Sequence, residues 1–497
     1  MTQNGPMPLL RFFVAVAVGL AGPMVAAAGG HQASAQVGVD CGIGARAGCV
    51  AWSDRPALSS ERGNRNWGRA VATGGDGSAV FVTANGFDLA YGAATGNLRW
   101  KEANSTGGAG GAQDIAMSPS GSMVVSVGGT SVPDADRVLS GQVVVTARDP
   151  KTGTRRWQSR FGDTERENLI GHAVAVTETR VFVAGRRLPG GLVMLAFDAG
   201  TGALLWSANW DGPAEGSTSP LAKPVDVVAT PDGHGVFLTA IARPAGRPWV
   251  QWVTLAYDGG TGRPRWEARH TAADDSSAEA REMAVHPDGD LLYVTGWGHR
   301  PSPSGASFDF LTIAYDTATG RPAWTGGYGS LRAGFPVDSN DLGWSVDISP
   351  DGRRVYVAGY SDDPVPGYRI EARDARTGAE QWSTLAPLAT PTQDQEGLFG
   401  LVKVRSSAGG GEVYVAMSAY DEAALAGRDV SFAVAGFDSA TGDLLWRGSY
   451  HDTERIQASY LKDLAVDPRG ARVYVTGQAW NHGAGFVQVT AFLAGRR

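Results

Sequence analysis

A nine-residue motif that ends in tryptophan recurs seven times, and it constrains the fold of this chain more than any other feature. Six copies read Asp-x-x-Thr-Gly-x-x-x-Trp, and the seventh, at residues 92–100, has glycine in place of the aspartate. The aspartate can accept hydrogen bonds from the amides of its own turn, and the glycine supplies the positive φ at which a chain reverses. Each copy therefore predicts a tight turn between two strands. The copies end at Trp100, Trp157, Trp206, Trp266, Trp324, Trp382 and Trp446.

A second motif alternates with the first, and together they define the repeating unit. Proline-containing turns such as SPDG at residues 349–352 precede runs of β-branched and aromatic residues. One unit contains four predicted strands, at residues 345–348, 355–358, 369–373 and around Trp382. Four antiparallel strands per repeat form one blade of a β-propeller. The tryptophans are farther apart than the roughly 40 to 45 residues of a WD40 repeat, which excludes that family.

The two ends of the chain predict how the ring closes. The last unit stops near Phe492, where its own turn and outermost strand should follow. Near the other end, ARAGCVAW places Gly48 four residues before Trp52, as in the turn motif. We expect residues 48–54 to supply the missing strand, because closure of this kind removes exposed sheet edges. The predicted fold is all-β: an eight-bladed β-propeller of four-stranded antiparallel blades, closed by the N-terminal strand in the C-terminal blade.

The start of the chain has the features of an export signal. Arg11 precedes the apolar run at residues 12–28, and Ala-Ser-Ala at residues 33–35 forms a small-x-small cleavage pattern. We predict a signal peptide at residues 1–35, a single propeller domain at residues 36–497, and a secreted or extracytoplasmic protein. The alternative is an uncleaved membrane anchor, although the run is short and interrupted for a bilayer span. We expect no transmembrane segment after cleavage of the signal.

Two cysteines lie close behind the predicted cleavage site. Cys41 and Cys49 are the only cysteines of the chain. In an oxidising, exported context we predict a disulfide between them, which would brace the closing strand. The alternative is a pair of free or buried thiols.

Charge and composition limit the classes of binding partner that we expect for this chain. The net charge is −7, 19% of residues are charged, and no basic run occurs. We therefore expect neither nucleic acid nor an anionic membrane surface as a partner. We expect a monomer.

The turn motif resembles the tryptophan-docking motif of PQQ-like, quinoprotein-type β-propeller repeat proteins that bacteria export, and the resemblance covers the whole chain after residue 35. In that family the tryptophans form a girdle that locks each blade to the next. The resemblance implies a structural role for the seven motif tryptophans and Trp52, so they are not candidate site residues. Bacterial chains with such repeats include quinoprotein dehydrogenases, outer-membrane assembly scaffolds and many exported proteins of unassigned role.

The resemblance leaves two functional classes open. Dehydrogenases of the family commonly cap the cofactor with two adjacent cysteines, and some carry a haem-attachment Cys-x-x-Cys-His, but Cys41 and Cys49 fit neither pattern. The sequence also lacks His-Glu-x-x-His, Gly-x-Ser-x-Gly and Gly-x-x-x-x-Gly-Lys. We expect a non-enzymatic binding or scaffold module for a protein or a cell-envelope polymer, with no cofactor and no catalytic residues. The alternative is a PQQ-dependent dehydrogenase or related oxidoreductase that uses PQQ with calcium.

One candidate site is a ring of carboxylates. Several units carry an acidic residue five positions before the turn proline, at the start of the innermost strand, and His172 is assigned to the same place in the third unit. Such a ring in the central channel could hold a cation. The alternative is that each carboxylate binds backbone amides of its own or a neighbouring blade. The acidic residues are Asp114, Asp226, Glu282 and Asp463.

A second candidate site is aromatic. Loops between the second and third strands carry five large rings, which could together form a recognition surface for a protein or a sugar. The alternative is that each ring covers its own hairpin. The five residues are Trp249, Trp297, Tyr360, Tyr420 and Trp480.

Overall fold

The computed structural model describes most of residues 47–493. The gaps within this range are residues 48, 55, 57–67, 85, 105–111, 134–138, 163–167, 189, 213–221, 245, 273–275, 303–304, 329–339, 363–364, 387–400, 421–429, 451–457, 471 and 482–483. The predicted signal peptide and Cys41 lie outside the described residues. The predicted disulfide and the predicted domain boundary therefore remain predictions.

Strands make up the regular structure of the described residues, and they fall into eight groups of four. Blades 1 to 4 contain, in chain order, β2 (Gly68–Thr73), β3 (Ala79–Ala84), β4 (Phe87–Gly92), β5 (Leu98–Ala103); β6 (Asp114–Met117), β7 (Val124–Pro133), β8 (Leu139–Arg148), β9 (Arg155–Phe161); β10 (Asn168–Val176), β11 (Arg180–Leu188), β12 (Gly191–Asp198), β13 (Leu204–Trp210); and β14 (Ala222–Ala229), β15 (Gly235–Ala242), β16 (Gln251–Asp258), β17 (Pro264–His270).

The second half of the chain repeats this arrangement, and its last blade borrows its outermost strand, β1 (Val50–Asp54), from the start of the chain. Blades 5 to 8 contain β18 (Ala278–Val285), β19 (Leu291–Ser302), β20 (Gly305–Asp316), β21 (Pro322–Tyr328); β22 (Asp341–Ile348), β23 (Arg354–Ser361), β24 (Gly367–Asp374), β25 (Glu380–Leu385); β26 (Val402–Ser406), β27 (Glu412–Tyr420), β28 (Val430–Asp438), β29 (Leu444–Tyr450); and β30 (Ala458–Val466), β31 (Arg472–Asn481), β32 (Ala484–Leu493).

Each blade is an antiparallel meander that runs from an innermost to an outermost strand. In blade 6, Val346 pairs with Val357, Val357 with Glu371, and Ala372 with Trp382. The four strands predicted for this unit are confirmed. Each innermost strand contacts the innermost strand of the next blade, and β30 contacts β2, so the eight blades form a closed ring.

The N-terminal strand completes the last blade, as the sequence predicts. β1 pairs antiparallel with β32, with Val50 opposite Phe492 and Ser53 opposite Thr490. The ring of Trp52 is buried between Tyr91 of blade 1 and Tyr474 of blade 8, with centroid distances of 5.7 and 6.0 Å. The start of the chain therefore joins the last blade to the first.

Tryptophan indoles link successive blades at seven of the eight junctions. In each case the indole Nε1 donates to the carbonyl of the second residue of the turn motif in the next blade. The pairs are Trp52 with Ala93, Trp100 with Pro150, Trp157 with Ala199, Trp206 with Gly259, Trp266 with Thr317, Trp324 with Ala375, and Trp382 with Ser439, at 2.8–3.1 Å.

The turn motif requires glycine for two reasons: the backbone has a positive φ, and a side chain would collide with the tryptophan of the preceding blade. Gly262 has φ +72, and a Cβ there would lie 2.5 Å from the ring of Trp206. The turn glycine thus lets the tryptophan of the preceding blade lie directly against the turn.

The junction between blades 7 and 8 is the exception. There, Trp446 Nε1 donates to Glu412 Oε2 of its own blade, at 3.2 Å. The two blades are connected by the parallel pair of Val430 with Ala458, by a hydrogen bond from the amide of Leu461 to the hydroxyl of Ser418, and by a shared core cluster.

Among the residues that the structure describes, none belongs to a helix of the length and apolar character needed to span a bilayer.

Candidate functional site

One position on the innermost strand recurs in every blade, and we call it the inner-ring position. In six blades it directly follows a β-bulge, at which one residue of the innermost strand is left without a partner. The structure brings all four predicted carboxylates to this position. In blade order the eight residues are Ala70, Asp114, Ala173, Asp226, Glu282, Ser345, Lys403 and Asp463.

All four carboxylates accept an amide of the next blade, and the three aspartates also accept an amide of their own strand. Asp226 accepts hydrogen bonds from the amide of Val227 on its own strand, at 2.8 Å, and from Met283 in the next blade, at 2.9 Å. The same pattern recurs for Asp114 with Ile115 and Val174, and for Asp463 with Leu464 and Val71, at 2.8–2.9 Å. The three aspartates bind amides of two blades, which is the structural alternative that the sequence left open.

Burial raises the pKa of the three aspartates Asp114, Asp226 and Asp463, because charge is costly to desolvate. The pKa of Asp114 rises to about 7 and that of Asp226 to about 6. The negative charges of Asp463 and Asp226 add to the effect on Asp114, and that of Glu282 to the effect on Asp226. The ring is therefore only partly ionised near neutral pH.

Glu282 of blade 5 differs from the aspartates because it also binds two cations, Lys403 and Arg405, which extend to it from blade 7. Its Oε1 accepts hydrogen bonds from Lys403 Nζ and Arg405 Nη2, each at 2.9 Å. Its Oε2 accepts from the amide of Val346, at 3.1 Å, and from the hydroxyl of Ser345. Burial opposes ionisation of Glu282, but the charges of Arg405 and Lys403 outweigh it and hold its pKa at about 2.

Lys403 and Arg405 were not among the residues predicted from the sequence. Lys403 occupies the inner-ring position of blade 7. The turn of that blade is built from Ser407 and Gly410 without a proline, so counting back from a turn proline does not find its innermost strand. The alternation Val402-Lys403-Val404-Arg405 with both valines buried is the sequence signal that could have found it.

The assignment of His172 to the carboxylate position is wrong by one residue. The equivalent residue is Ala173, and His172 is the bulged residue between Gly171 and Ala173. This unit has no turn proline: its turn begins at Thr177, the equivalent of Thr230, so Glu178 stands at the place of the proline and the fifth residue before it is Ala173.

A cavity of about 340 Å³ opens beside the inner ring. Its polar lining consists of Asp226, Glu282, Asp347 and Arg405. Asp347 is also bound to the neighbouring blade, since its Oδ2 accepts from the amide and the hydroxyl of Ser406, at 2.6 and 2.9 Å. The lining groups thus hold blades together.

The described inner-ring residues do not fit a calcium-bound quinone. Calcium takes six to eight oxygen ligands. Each carboxylate oxygen of Asp114, Asp226, Glu282 and Asp463 already accepts a hydrogen bond from the protein. A calcium ion would compete with these bonds, and beside Glu282 it would meet the positive charges of Lys403 and Arg405.

One group of side chains outside the ring has the composition of a metal site. His286, Asp288 and Asp290 lie close together on a turn. Arg376 pairs with both aspartates, at 2.7 Å from Asp288, and His286 Nδ1 accepts the amide of Asp288. The arginine supplies the charge that a cation would bring, so this group carries no metal proposal.

Two rings of the predicted aromatic surface are buried. Trp297 is 8% exposed and Tyr360 is 3% exposed. Trp297 packs edge-on against Phe308 of its own hairpin, with the centroids 4.8 Å apart, so it covers its own hairpin as the alternative stated. Such side chains offer a partner little contact area.

The other three aromatic residues remain candidates. Trp249 is half-buried, and the guanidinium of Arg247 lies 5.7 Å from its ring centroid. Tyr420 is the last residue of β27, and Trp480 lies near the end of β31. The side chains of both residues fall outside the described part of the structure. A role in binding stays a prediction for these three residues.

The raised pKa of Asp114 predicts how stability depends on pH. A carboxyl group whose pKa is higher in the folded chain stabilises the fold at low pH and loses that contribution as pH rises from its ordinary value of 3.8 through about 7. We expect wild-type stability to fall between pH 5 and pH 8, and to fall less in Asp114→Asn. Urea unfolding at the two pH values measures this. Asp149→Asn, on an exposed turn, serves as control, and an equal pH dependence in wild type and Asp114→Asn would contradict the assignment.

The repeated blades, the closed ring and the indole bonds between blades define the chain as a PQQ-like β-propeller repeat protein. Residues 140–298 and 250–484, which together span well over half of the chain, match the family model described as outer membrane protein assembly factor BamB. The chain belongs to this family. No curated protein sequence matches it significantly.

Solved structures share the fold at low sequence identity. Sqt1 of Saccharomyces cerevisiae is 10% identical, with a TM-score of 0.52 over 89% of this chain and 100% of that one. The Dos1 propeller is also 10% identical, with a TM-score of 0.51 over 88% and 94% of the two chains. BamB from Moraxella catarrhalis is 16% identical, with a TM-score of 0.44 over 90% and 97%. At these identities the likeness is one of fold alone.

Proposed function

We propose that this protein is a non-enzymatic scaffold of the cell envelope that binds another protein. The observation that carries the proposal is the match of residues 140–484 to a family described as an outer membrane protein assembly factor. An assembly factor acts by holding partners, and a rigid closed ring with loops at both ends suits that task.

The chemistry of the inner ring supports a structural use of its charged groups. Asp114, Asp226 and Asp463 hold amides of neighbouring blades, and Glu282 holds two cations. A general base or a metal ligand needs an oxygen that substrate or metal can reach. Within the described residues these oxygens already have protein partners.

Affinity capture followed by reconstitution tests the proposal. The purified protein is used as bait against the solubilised envelope of its own organism, and each captured protein is then purified and its binding measured directly. We expect saturable binding of a defined envelope protein. The same purified protein is incubated with PQQ and calcium. A bound-quinone absorbance with dye reduction, in the absence of any partner, would instead support the dehydrogenase alternative.

Export and the disulfide are part of the same proposal, and one measurement covers both. We expect the mature protein to begin near Gln36 and to contain a Cys41–Cys49 disulfide, so that alkylation without reductant adds no mass. Intact mass spectrometry of the protein from its native envelope measures both. A retained residue 1–35 segment would favour the anchor, and addition of two alkyl groups would rule out the disulfide.

A further inference from the structure

Basic side chains gather at the end of the ring where the innermost strands of several blades begin. Arg69 and His172 are equivalent residues, since each is the bulged residue directly before the inner-ring position of its blade. Arg186 lies on β11 opposite Ile170, two residues from His172 along β10. Lys223 lies near the start of β14, the innermost strand of blade 4, which contacts β10. The register thus places these four residues one to three positions before the inner-ring position of their blades, and we call them the basic cluster.

Three members of the basic cluster have no acidic partner among the described residues. Arg186 is half-buried, and its Nε is buried without a hydrogen-bond acceptor. Its neighbour Arg187 differs, because it forms an ion pair with Asp211. His172 and Lys223 likewise form no ion pair or hydrogen bond within the described part of the chain.

Two acidic residues of the inner ring reach this part of the molecule, and backbone amides occupy the oxygens of both. Asp463 of blade 8 extends to blade 1, where it accepts the amide of Val71, and its other oxygen accepts the amide of Leu464. Asp114 of blade 2 extends to blade 3, but its two oxygens accept the amides of Ile115 and Val174. Its raised pKa of about 7 means that it is only partly charged at neutral pH. The positive charges of Arg186 and Lys223 are therefore not paired with an acidic side chain among the described residues.

The pKa of His172 reflects the positive charges around it. Burial and then the charges of Lys223, Arg186 and Arg69 lower its pKa to about 4. The imidazole is neutral at physiological pH and can donate one hydrogen bond. An arginine fork, an exposed lysine and an imidazole N–H around one point are the donors that bind oxyanions in proteins.

We propose that Arg69, His172, Arg186 and Lys223 form a binding site for an anionic oxygen group, a carboxylate or a phosphate, at this end of the ring. The site does not depend on the proposed scaffold function, because a small anion and an acidic segment of a protein would be recognised by the same donors. Binding of an anion there offsets the three cations around His172. By linkage, the anion then raises the pKa of His172 and its binding strengthens as pH falls.

Nuclear magnetic resonance of the histidine ring protons tests the site on the whole mature protein. The resonance of His172 is assigned by its loss in His172→Gln, and it is followed during titration with two probes, inorganic phosphate and hexaglutamate, at low ionic strength. We expect a saturable shift and an upward movement of the His172 pKa with at least one probe. Binding of hexaglutamate alone would indicate an acidic peptide segment as the natural ligand, and binding of phosphate alone a phosphate-bearing ligand.

Matched variants separate the basic cluster from general attraction of anions. The double variant Arg186→Gln with Lys223→Gln is expected to weaken binding by about tenfold or more, since it removes two charge-assisted partners. The control double variant, Arg187→Gln with Lys151→Gln, also removes one arginine and one lysine. Arg187 belongs to an existing ion pair and Lys151 to an exposed turn, so this variant should leave binding within about twofold of wild type. The thermal unfolding midpoint of each variant confirms that it is folded. No saturable shift of His172 with either probe, or equal binding by the double variant and wild type, would overturn the proposal.

Discussion

Replacing Trp206 by alanine is expected to lower the free energy of unfolding by about 3 to 5 kcal/mol, the usual cost of deleting a buried aromatic ring. The ring is 8% exposed and packs between Phe182 of its own blade and Tyr257 of the next, with centroids 6.0 and 6.4 Å away. Its indole also holds the carbonyl of Gly259, at 3.0 Å. Urea unfolding measures the loss.

Two further variants divide this loss into packing and hydrogen bonding. Trp206→Phe keeps most of the ring contact and removes the bond to Gly259, so it should cost about 1 kcal/mol from that bond, with a further share from the smaller ring. Leu205→Ala removes a 47% exposed neighbour on the same strand and should change stability by less than about 0.5 kcal/mol. A loss in Trp206→Ala no larger than that in Leu205→Ala would show that the indole does not join the blades.

Glu282→Gln is expected to lower the free energy of unfolding by about 2 to 3 kcal/mol at neutral pH, because it leaves the half-buried cations Lys403 and Arg405 beside each other without their shared anion. The side chain of Glu282 is 10% exposed and accepts from both cations at 2.9 Å. The glutamine keeps the size of the side chain and can still accept hydrogen bonds, so the loss reports the missing charge. Urea unfolding at pH 7 measures it.

The same variant has a defined pH dependence, opposite in sign to that of Asp114. The pKa of Glu282 is lowered from an ordinary 4.5 to about 2, so its contribution is complete above pH 4.5 and is lost as pH falls through about 2. The difference between wild type and Glu282→Gln should therefore shrink on acidification. Glu102→Gln, whose side chain is 49% exposed and 4.0 Å from Arg148, serves as control and should have little effect. A difference that stays constant down to pH 2 would contradict the assigned pKa.

The repeat made most of the fold predictable. The turn motif encodes its own geometry, because its aspartate, threonine and glycine act within one turn. Asp258 accepts the amide and the hydroxyl of Thr261, at 3.0 and 2.9 Å, while Gly262 has φ +72. Local patterns of this kind are visible in sequence, and their repetition also located the displaced strand at Trp52. The eight-bladed fold, closed by that strand, is confirmed.

The candidate site was less predictable because its contacts join blades that are far apart in the sequence. The four carboxylates were found from their spacing, but Lys403 and Arg405 lie more than a hundred residues from Glu282, and nothing local in the sequence indicates the pairing. The burial of Trp297 and Tyr360 also depends on neighbouring strands. His172 was misassigned because its unit has Glu178 in place of the turn proline from which the other positions were counted.

Folding of the propeller is complete only when β1 pairs with β32. Ser53 donates to the carbonyl of Val489, 436 residues away along the chain. Contacts of such separation form late, because nearly the whole polypeptide must be synthesised first. β1 leaves the ribosome before the other strands and is thus the last of them to find its place. Until then the edge of β32 is open to a foreign strand, and each nascent copy passes through an interval in which two molecules can exchange their first segments.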